Sequence, residues 1–188
     1  MKKIIFSLFA LAAMGLSANA QQVVKFGPKA GLNIATLNGV EDSEMKVGLH
    51  IGAFAEIFFT DKFALQPELL YSMQGAKDSE VDIKANYDFI NIPIMAKYYV
   101  VDGLAVEAGP YVGFLMKAEA KGDGGSLDVK DALNTVDFGL GLGANYNLDN
   151  GFFAGARYNL GLTDLSKYND EGDAVKNGVI QISVGYKF

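Results

Sequence analysis

The chain contains no cysteine. Disulfide bonds, thiolate metal sites and the acylated cysteine of a lipoprotein are therefore excluded. If this protein is held in a membrane, its fold must provide the attachment.

Long apolar segments are also missing. Half of the residues are apolar and the mean hydropathy is slightly positive. Even so, no internal stretch approaches the roughly 18 apolar residues that a spanning helix requires. The hydrophobicity is spread along the chain, as alternating β-strands would spread it. The length of 188 residues predicts a single domain with a full core.

The first 20 residues have the pattern of a secretory signal. Lys2 and Lys3 form a basic start, residues 4–16 an apolar run too short to span a bilayer, and Ala18-Asn19-Ala20 a small-residue cleavage site. We expect residues 1–20 to be a cleaved signal peptide and residues 21–188 to be the folded domain. An uncleaved anchor helix is the alternative.

Positive charge and histidine are both scarce. The formal net charge is −6, and removing the two signal lysines takes it to −8, so we expect no nucleic-acid binding. The only histidine, His50, falls in the middle of an expected strand with Ser72 as its expected cross-strand neighbour. A Ser–His pair without a clear third member does not indicate a catalytic site, and no enzymatic activity is expected.

Alternation with a period of two residues dominates the sequence after about Phe26. In the second of eight such stretches, Val47, Leu49 and Ile51 alternate with Gly48 and His50. Every stretch has at least the roughly 9–11 residues that a tilted strand needs to cross a bilayer. The predicted strands are residues 26–37, 46–59, 63–74, 87–99, 104–117, 135–147, 152–162 and 178–188.

The connections between these stretches alternate in length. Three are short turns with aromatic residues beside them, at residues 60–62, 100–103 and 148–150. The others are long and polar. This is the plan of an outer-membrane barrel, with short turns in the periplasm and a belt of rings at the membrane interface. The long loops are residues 38–45, 75–86, 118–134 and 163–177.

The direction of the apolar face distinguishes two kinds of barrel. A soluble, lipocalin-like barrel turns that face inward, and a membrane barrel turns it outward. Eight strands enclose an interior only just filled by side chains, and the bulky apolar residues of all eight do not fit there. The sequence therefore predicts an all-β, eight-stranded antiparallel up-and-down transmembrane β-barrel in the outer membrane.

The opposite face carries charges that need partners inside a narrow lumen. The expected register of the second hairpin places Lys97 opposite Glu107, and Arg157 is expected to face Gly141 or Gly143. We predict a salt-bridged plug that holds the barrel rigid, with a polar channel as the alternative. The predicted structural polar network consists of Lys29, Glu56, Glu68, Lys97, Glu107, Asp137 and Arg157.

The long loops are rich in carboxylates. Residues 41–44 and 170–173 hold clusters that could bind calcium through their oxygen atoms. Neither cluster has the ligand spacing of a defined site, so the sequence predicts solvated, charged loops. No metal ion or cofactor is expected.

The strand motifs resemble those of the PorT-like outer-membrane β-barrels of Bacteroidetes over essentially the whole mature chain. The resemblance implies an integral outer-membrane barrel with no established enzymatic activity. It also implies that Phe188 is the C-terminal aromatic residue by which such barrels are recognised for assembly. The motifs are residues 65–72 (LQPELLYS), 91–99 (NIPIMAKYY), 108–113 (AGPYVG), 156–163 (ARYNLGLT) and 184–188 (VGYKF).

These features predict a non-enzymatic barrel whose rigid wall presents acidic extracellular loops for adhesion, partner binding or envelope integrity. The alternatives are a narrow transport gate, an accessory component of a protein secretion system, and a soluble periplasmic ligand-binding barrel. The expected partners are outer-membrane lipid, the outer-membrane assembly machinery, and an envelope or extracellular protein.

Overall fold

The structure is a computed structural model, and it describes residues 23–39, 43–78, 84–122, 125–167 and 174–188. The expected signal peptide, residues 1–20, lies outside the described residues, so its cleavage stays a prediction. In the described residues, no helix is both long enough and apolar enough to cross a membrane.

Nine β-strands and one 3₁₀ turn, Lys130–Ala132, form the described secondary structure. The strands are β1 (Val24–Asn38), β2 (Ser43–Phe58), β3 (Phe63–Asp78), β4 (Lys84–Val101), β5 (Leu104–Gly122), β6 (Gly125–Asp128), β7 (Val136–Asn147), β8 (Phe152–Gly161) and β9 (Lys176–Tyr186). Eight of them pair antiparallel in a ring that closes between β1 and β9. The short β6 pairs with the end of β5, beyond the ring. The predicted closed eight-stranded barrel is confirmed.

Strands β2 to β5 extend three to five residues further toward the long loops than predicted, and β1 and β9 extend one and two residues further. The β3–β4 pairing continues to Lys77 opposite Lys84, inside the predicted loop 75–86. The predicted loop 118–134 contains the end of β5, all of β6 and the 3₁₀ turn. These loop boundaries were wrong because they were placed where apolar-out alternation stops. Backbone pairing continues past that point, where polar residues replace apolar ones on the outer face.

The apolar face of the barrel points outward. Val47, Ile51 and Leu142 are 65%, 63% and 67% exposed, and the alternate position His50 is buried. A continuous apolar surface of this kind on a closed barrel is typical of contact with lipid. The outward direction is confirmed, and the inward-apolar, lipocalin-like alternative is wrong.

One rim of the barrel is formed by tight turns at residues 59–62, 102–103 and 148–151, and we call it the short-turn rim. Gly103 has a positive φ of 80° within its turn, a conformation that glycine adopts without strain. Aromatic rings pack beside the turns, for example Phe152 against Tyr186 with centroids 4.9 Å apart. The predicted clustering of rings at this rim is confirmed.

At the opposite, long-loop rim the inward residues become apolar. Phe89 of β4 and Leu115 of β5 pack there with Leu165, which comes from the connection after β8. This cluster lies at the long-loop end of the lumen and attaches a loop residue to the wall. The sequence analysis did not anticipate it. We call it the apolar cap, and its buried members are Leu37, Ala76, Tyr87, Phe89, Leu115, Ala118 and Leu165.

The substitution Leu142→Arg tests the direction of the outer face. Leu142 lies near the middle of β7 and points away from the lumen. Arginine at the bilayer midplane destabilises a membrane barrel by about 2–4 kcal/mol. We expect a loss of that size in the free energy of unfolding, measured by urea titration in lipid vesicles.

The matched control is Leu127→Arg. Leu127 is similarly exposed, at 69%, but lies on β6, beyond the barrel wall. We expect it to change the free energy of unfolding little. Equal losses in the two variants would contradict a lipid-facing β7.

Candidate functional site

Glu68 is the centre of the charged cluster in the lumen. The Arg157 guanidinium binds its two carboxylate oxygens through Nη1 and Nη2 at 3.0 and 2.6 Å. Lys29 Nζ lies 3.1 Å from Oε2, and the Gln66 amide donates to Oε1 at 2.7 Å. All four side chains are buried. Because the arginine contact is bidentate and charge-assisted, it is a strong link across the barrel.

Arg157 also connects Glu68 to Glu107. Its Nε donates to Glu107 Oε1 at 2.6 Å, and Asn145 donates to Oε2 at 3.0 Å. Gly143 lies opposite Arg157 in the β7–β8 register, and a Cβ there would be 3.0 Å from the arginine Cβ. The prediction that Arg157 faces a glycine is confirmed. The absent side chain leaves room for the arginine to cross the lumen.

Glu56 holds a second cluster nearer the short-turn rim. Lys97 Nζ lies 2.9 Å from Oε1, and the Tyr99 hydroxyl donates to the same oxygen at 2.7 Å. Lys187 binds the other oxygen, Oε2. Lys97 also donates to Gln66 at 3.0 Å, which joins this cluster to the one around Glu68.

Lys97 lies opposite Glu107 in the β4–β5 register, as predicted. Its ion pair, however, is with Glu56, and Glu107 pairs with Arg157. Strands in a barrel tilt, so inward side chains reach residues on other strands as readily as the residue in register. The register was therefore predictable, but the ionic partners were not.

Asp137 lies on the inward face, as predicted, but apart from both clusters. It accepts a hydrogen bond from the Tyr111 hydroxyl at 3.0 Å. None of the ion pairs among the described residues includes it. The structure thus connects every predicted member of the network except Asp137.

His50 belongs to a Ser–His–Asn chain of hydrogen bonds. Its Nδ1 lies 2.8 Å from Asn33 Oδ1, and its Nε2 lies 2.9 Å from Ser183 Oγ. Ser72 is opposite His50 in register, as expected, but is bonded by Asn33. The order of groups matches a hydrolase triad, yet His50 and Ser183 are only 2% and 4% exposed. We interpret the chain as polar packing, because a substrate has no room there.

Little space remains between the side chains in the middle of the lumen. The gap beside Arg157 and Ser183 is about 10 Å³, which is enough for one water molecule. A larger bowl of about 600 Å³ opens at the short-turn rim, beside Tyr99 and Lys187. The described side chains around Arg157 and Ser183 therefore nearly fill the lumen at this level.

Metal ligation by clustered acids is not seen in the part of the chain that the structure describes. No three His, Asp or Glu side chains there are arranged to hold a metal ion. The carboxylates at residues 170–173 lie outside the described residues, as do residues 41 and 42 of the first cluster. That these loops are simply solvated stays a prediction.

A family model, that of the outer membrane protein beta-barrel domain, matches residues 19–167. The chain belongs to this family. It is therefore an outer-membrane protein whose wall lies in the lipid bilayer. By the general plan of such barrels, the short-turn rim faces the periplasm and the long-loop rim faces the cell exterior.

Two solved structures share the fold. One is Ail, the attachment invasion locus protein of Yersinia pestis, with 15% identity and a TM-score of 0.54 over 87% of this chain and 98% of that one. The other is Neisserial surface protein A, with 15% identity and a TM-score of 0.60 over 87% and 97%. At this identity the likeness shows the fold alone. A comparison with curated protein sequences finds no match.

The substitution Arg157→Gln tests the energetic weight of the lumen network. It removes the cation between Glu68 and Glu107. Removing one partner of a buried ion pair costs about 3–5 kcal/mol, because the remaining charge stays buried. We expect a loss of that size in the free energy of unfolding, measured by urea titration in vesicles.

Lys117→Gln is the control for this substitution. Lys117 pairs with Glu119 at the surface, with 2.7 Å between Nζ and Oε1, and exposed pairs contribute little to stability. A loss for Arg157→Gln no larger than for Lys117→Gln would show that the network does not stabilise the barrel.

The filled lumen also predicts that the purified protein shows no steady conductance in planar bilayers. Reproducible channels in that measurement would contradict a filled lumen.

Proposed function

We propose that this protein is a non-enzymatic, rigid outer-membrane scaffold that presents its extracellular loops to a binding partner. The observation that carries the proposal is the filled lumen. Ion pairs occupy its middle, and the apolar cap packs at its extracellular end. A lumen filled with side chains favours recognition at the surfaces of the rims over transport.

The extracellular connections on either side of β7 and β8 are joined into one surface. Leu133 bridges to Ser166, and the Asn134 N–H donates to the Leu165 carbonyl at 2.8 Å. The Lys167 N–H donates to the Ala132 carbonyl at 3.1 Å. We call residues 129–135 and 162–167 the loop platform. Its attachment to the cap through Leu165 supports binding with little loss of conformational entropy.

The charge of the extracellular side favours a basic partner. Acidic residues outnumber lysines in the long loops, and Asp128 and Asp131 are exposed there. Such a surface attracts cations and repels polyanions. Ail has been solved with the heparin analogue sucrose octasulfate, whose sulfate groups are negatively charged. The acidic loops of this chain instead favour a positively charged partner.

The periplasmic rim supports a second candidate function, an accessory role in protein secretion. Its bowl of about 600 Å³ is lined by Phe58, Tyr99 and Tyr186, with Lys25 and Asp149 among the charged residues. Aromatic and charged side chains around a concavity suit a protein segment. This role accords with a PorT-like affiliation, which the strand motifs support. Photocrosslinks from Asp149 to a periplasmic protein in intact cells would favour it.

Neutralising three acids on the extracellular side tests the scaffold role. The variant carries Glu119→Gln, Asp128→Asn and Asp131→Asn. We expect intact cells to bind a fluorescent decalysine peptide several-fold less, because attraction depends on the local density of negative charge. Fluorescence of washed cells provides the measurement.

The matched control removes three acids from the periplasmic turns, with Asp61→Asn, Asp102→Asn and Asp149→Asn. These positions are exposed at the opposite rim, so binding to intact cells should not change. Both variants should keep the heat-dependent gel shift of a closed barrel. Equal loss in the two variants, or no loss in the first, would contradict recognition by the acidic loops.

Phe188 is proposed as the signal that the outer-membrane assembly machinery recognises. Its ring lies 5.0 Å from that of Tyr186 and 5.7 Å from that of Phe26, and its N–H donates to the Phe26 carbonyl at 2.9 Å. These contacts hold the last residue at the periplasmic rim, where the ring stays 66% exposed. The exposed ring is available to a receptor.

We expect Phe188→Ala to lower the amount of barrel in the outer membrane several-fold, measured by fractionation and immunoblotting. Refolding of the purified protein into detergent should stay near normal. Phe26→Ala is the control, because it removes the same ring contact without altering the C-terminus. A refolding defect as large as the defect in cells would assign Phe188 a structural role instead.

A further inference from the structure

The buried polar side-chain atoms that lack a hydrogen-bond partner in the described residues are all acceptor oxygens. A buried acceptor without a partner is costly. Each of these oxygens can be satisfied by a donor N–H or O–H or by a cation. The atoms are Asn91 Oδ1, Asp137 Oδ1, Asn147 Oδ1, Asn159 Oδ1, Asn177 Oδ1 and Gln181 Oε1.

Asn91 and Asp137 lie on either side of Gly113. The three residues form one row in register across β4, β5 and β7. A Cβ at Gly113 would lie 2.6 Å from Asn91 Oδ1 and 3.6 Å from Asp137 Cβ. The glycine therefore leaves a recess that the Asn91 oxygen enters from one side and the Asp137 side chain borders on the other.

Asn177 of β9 forms a third side of this recess. Its side chain interacts with the Asp137 carboxylate. It donates its amide N–H to Gln74, while its Oδ1 has no donor. Residues of β4, β7 and β9 thus border one recess, and each has a side-chain oxygen without a donor. We call the site formed by Asn91, Asp137 and Asn177 the Asp137 recess.

The recess holds a buried carboxylate without a basic partner. All the ion pairs of the described lumen lie in the clusters around Glu56, Glu68 and Glu107. Phe89 of the apolar cap lies 3.3 Å from the same Cβ position at Gly113. A carboxylate removed from water in this way needs a counter-charge, a proton or a metal ion.

We propose that the Asp137 recess binds a single Na⁺ ion. Hard cations prefer carboxylate and amide oxygens as ligands, which are the atoms gathered here. One carboxylate balances one positive charge. A divalent ion would leave a net charge in a low-dielectric interior. Because Phe89 of the apolar cap borders the recess, we expect the ion to enter as the barrel folds.

Refolding in two salts tests the site. Urea-unfolded protein is refolded into detergent in NaCl or in choline chloride at equal ionic strength, since choline is too large for the recess. We expect unfolding in NaCl to require more urea. The folding equilibrium constant should rise by up to about tenfold for each tenfold rise in Na⁺ once Na⁺ exceeds its dissociation constant.

Asp137→Asn keeps the shape of the side chain and removes its charge, so the difference between the salts should disappear. Asp149→Asn, an exposed change of equal charge, should preserve it. If Asp137→Asn does not fold, Asn91→Ala serves instead and should raise the Na⁺ concentration required for the effect.

Three results would overturn the proposal. The first is equal stability of the native protein in both salts, which would leave a proton or water as the partner of Asp137. The second is a salt difference that Asp137→Asn retains. A larger Asp137-dependent effect from millimolar Ca²⁺ would overturn the assignment to a monovalent ion.

Discussion

The contact between Arg157 and Glu68 is the interaction on which the rest of the lumen depends. Eight strands leave an interior just wide enough for side chains, and this pair spans it while Arg157 also holds Glu107. Glycine at position 143 makes the crossing possible. Every buried charge in these clusters has a partner. The space inside the barrel wall is therefore filled by paired polar side chains, where a soluble protein would have an apolar core.

The lumen is divided into layers along the barrel axis, and this division explains where recognition can occur. The clusters around Glu56 and Glu68 fill the periplasmic and middle parts. Toward the exterior, the apolar cap packs Leu165 against the wall and so supports the loop platform. In the function proposed above, the filled interior serves rigidity and the extracellular surface meets the partner.

Much of this organisation was predictable from the sequence. Alternation along β2 and β7 placed Val47 and Leu142 outside and His50 and Asp137 inside, as the structure has them. The register of Lys97 with Glu107, and of Arg157 with a glycine, followed from the positions of the short turns. The apolar cap was not predicted, because Leu165 lies in a polar loop whose sequence has no periodicity to reveal its burial.

The sequence by itself determined which side chains face lipid and which face the lumen, because the period of a strand is two and each short turn sets the register of its hairpin. Only the tertiary structure decided which charges meet. Lys97 binds Glu56 on β2 rather than Glu107 in register, and Asp137 accepts a hydrogen bond from Tyr111 but has no cation among the described ion pairs. The physical reason is barrel closure. Strand tilt brings side chains that are distant in sequence together across a narrow interior. Local sequence patterns do not show which of these side chains will meet.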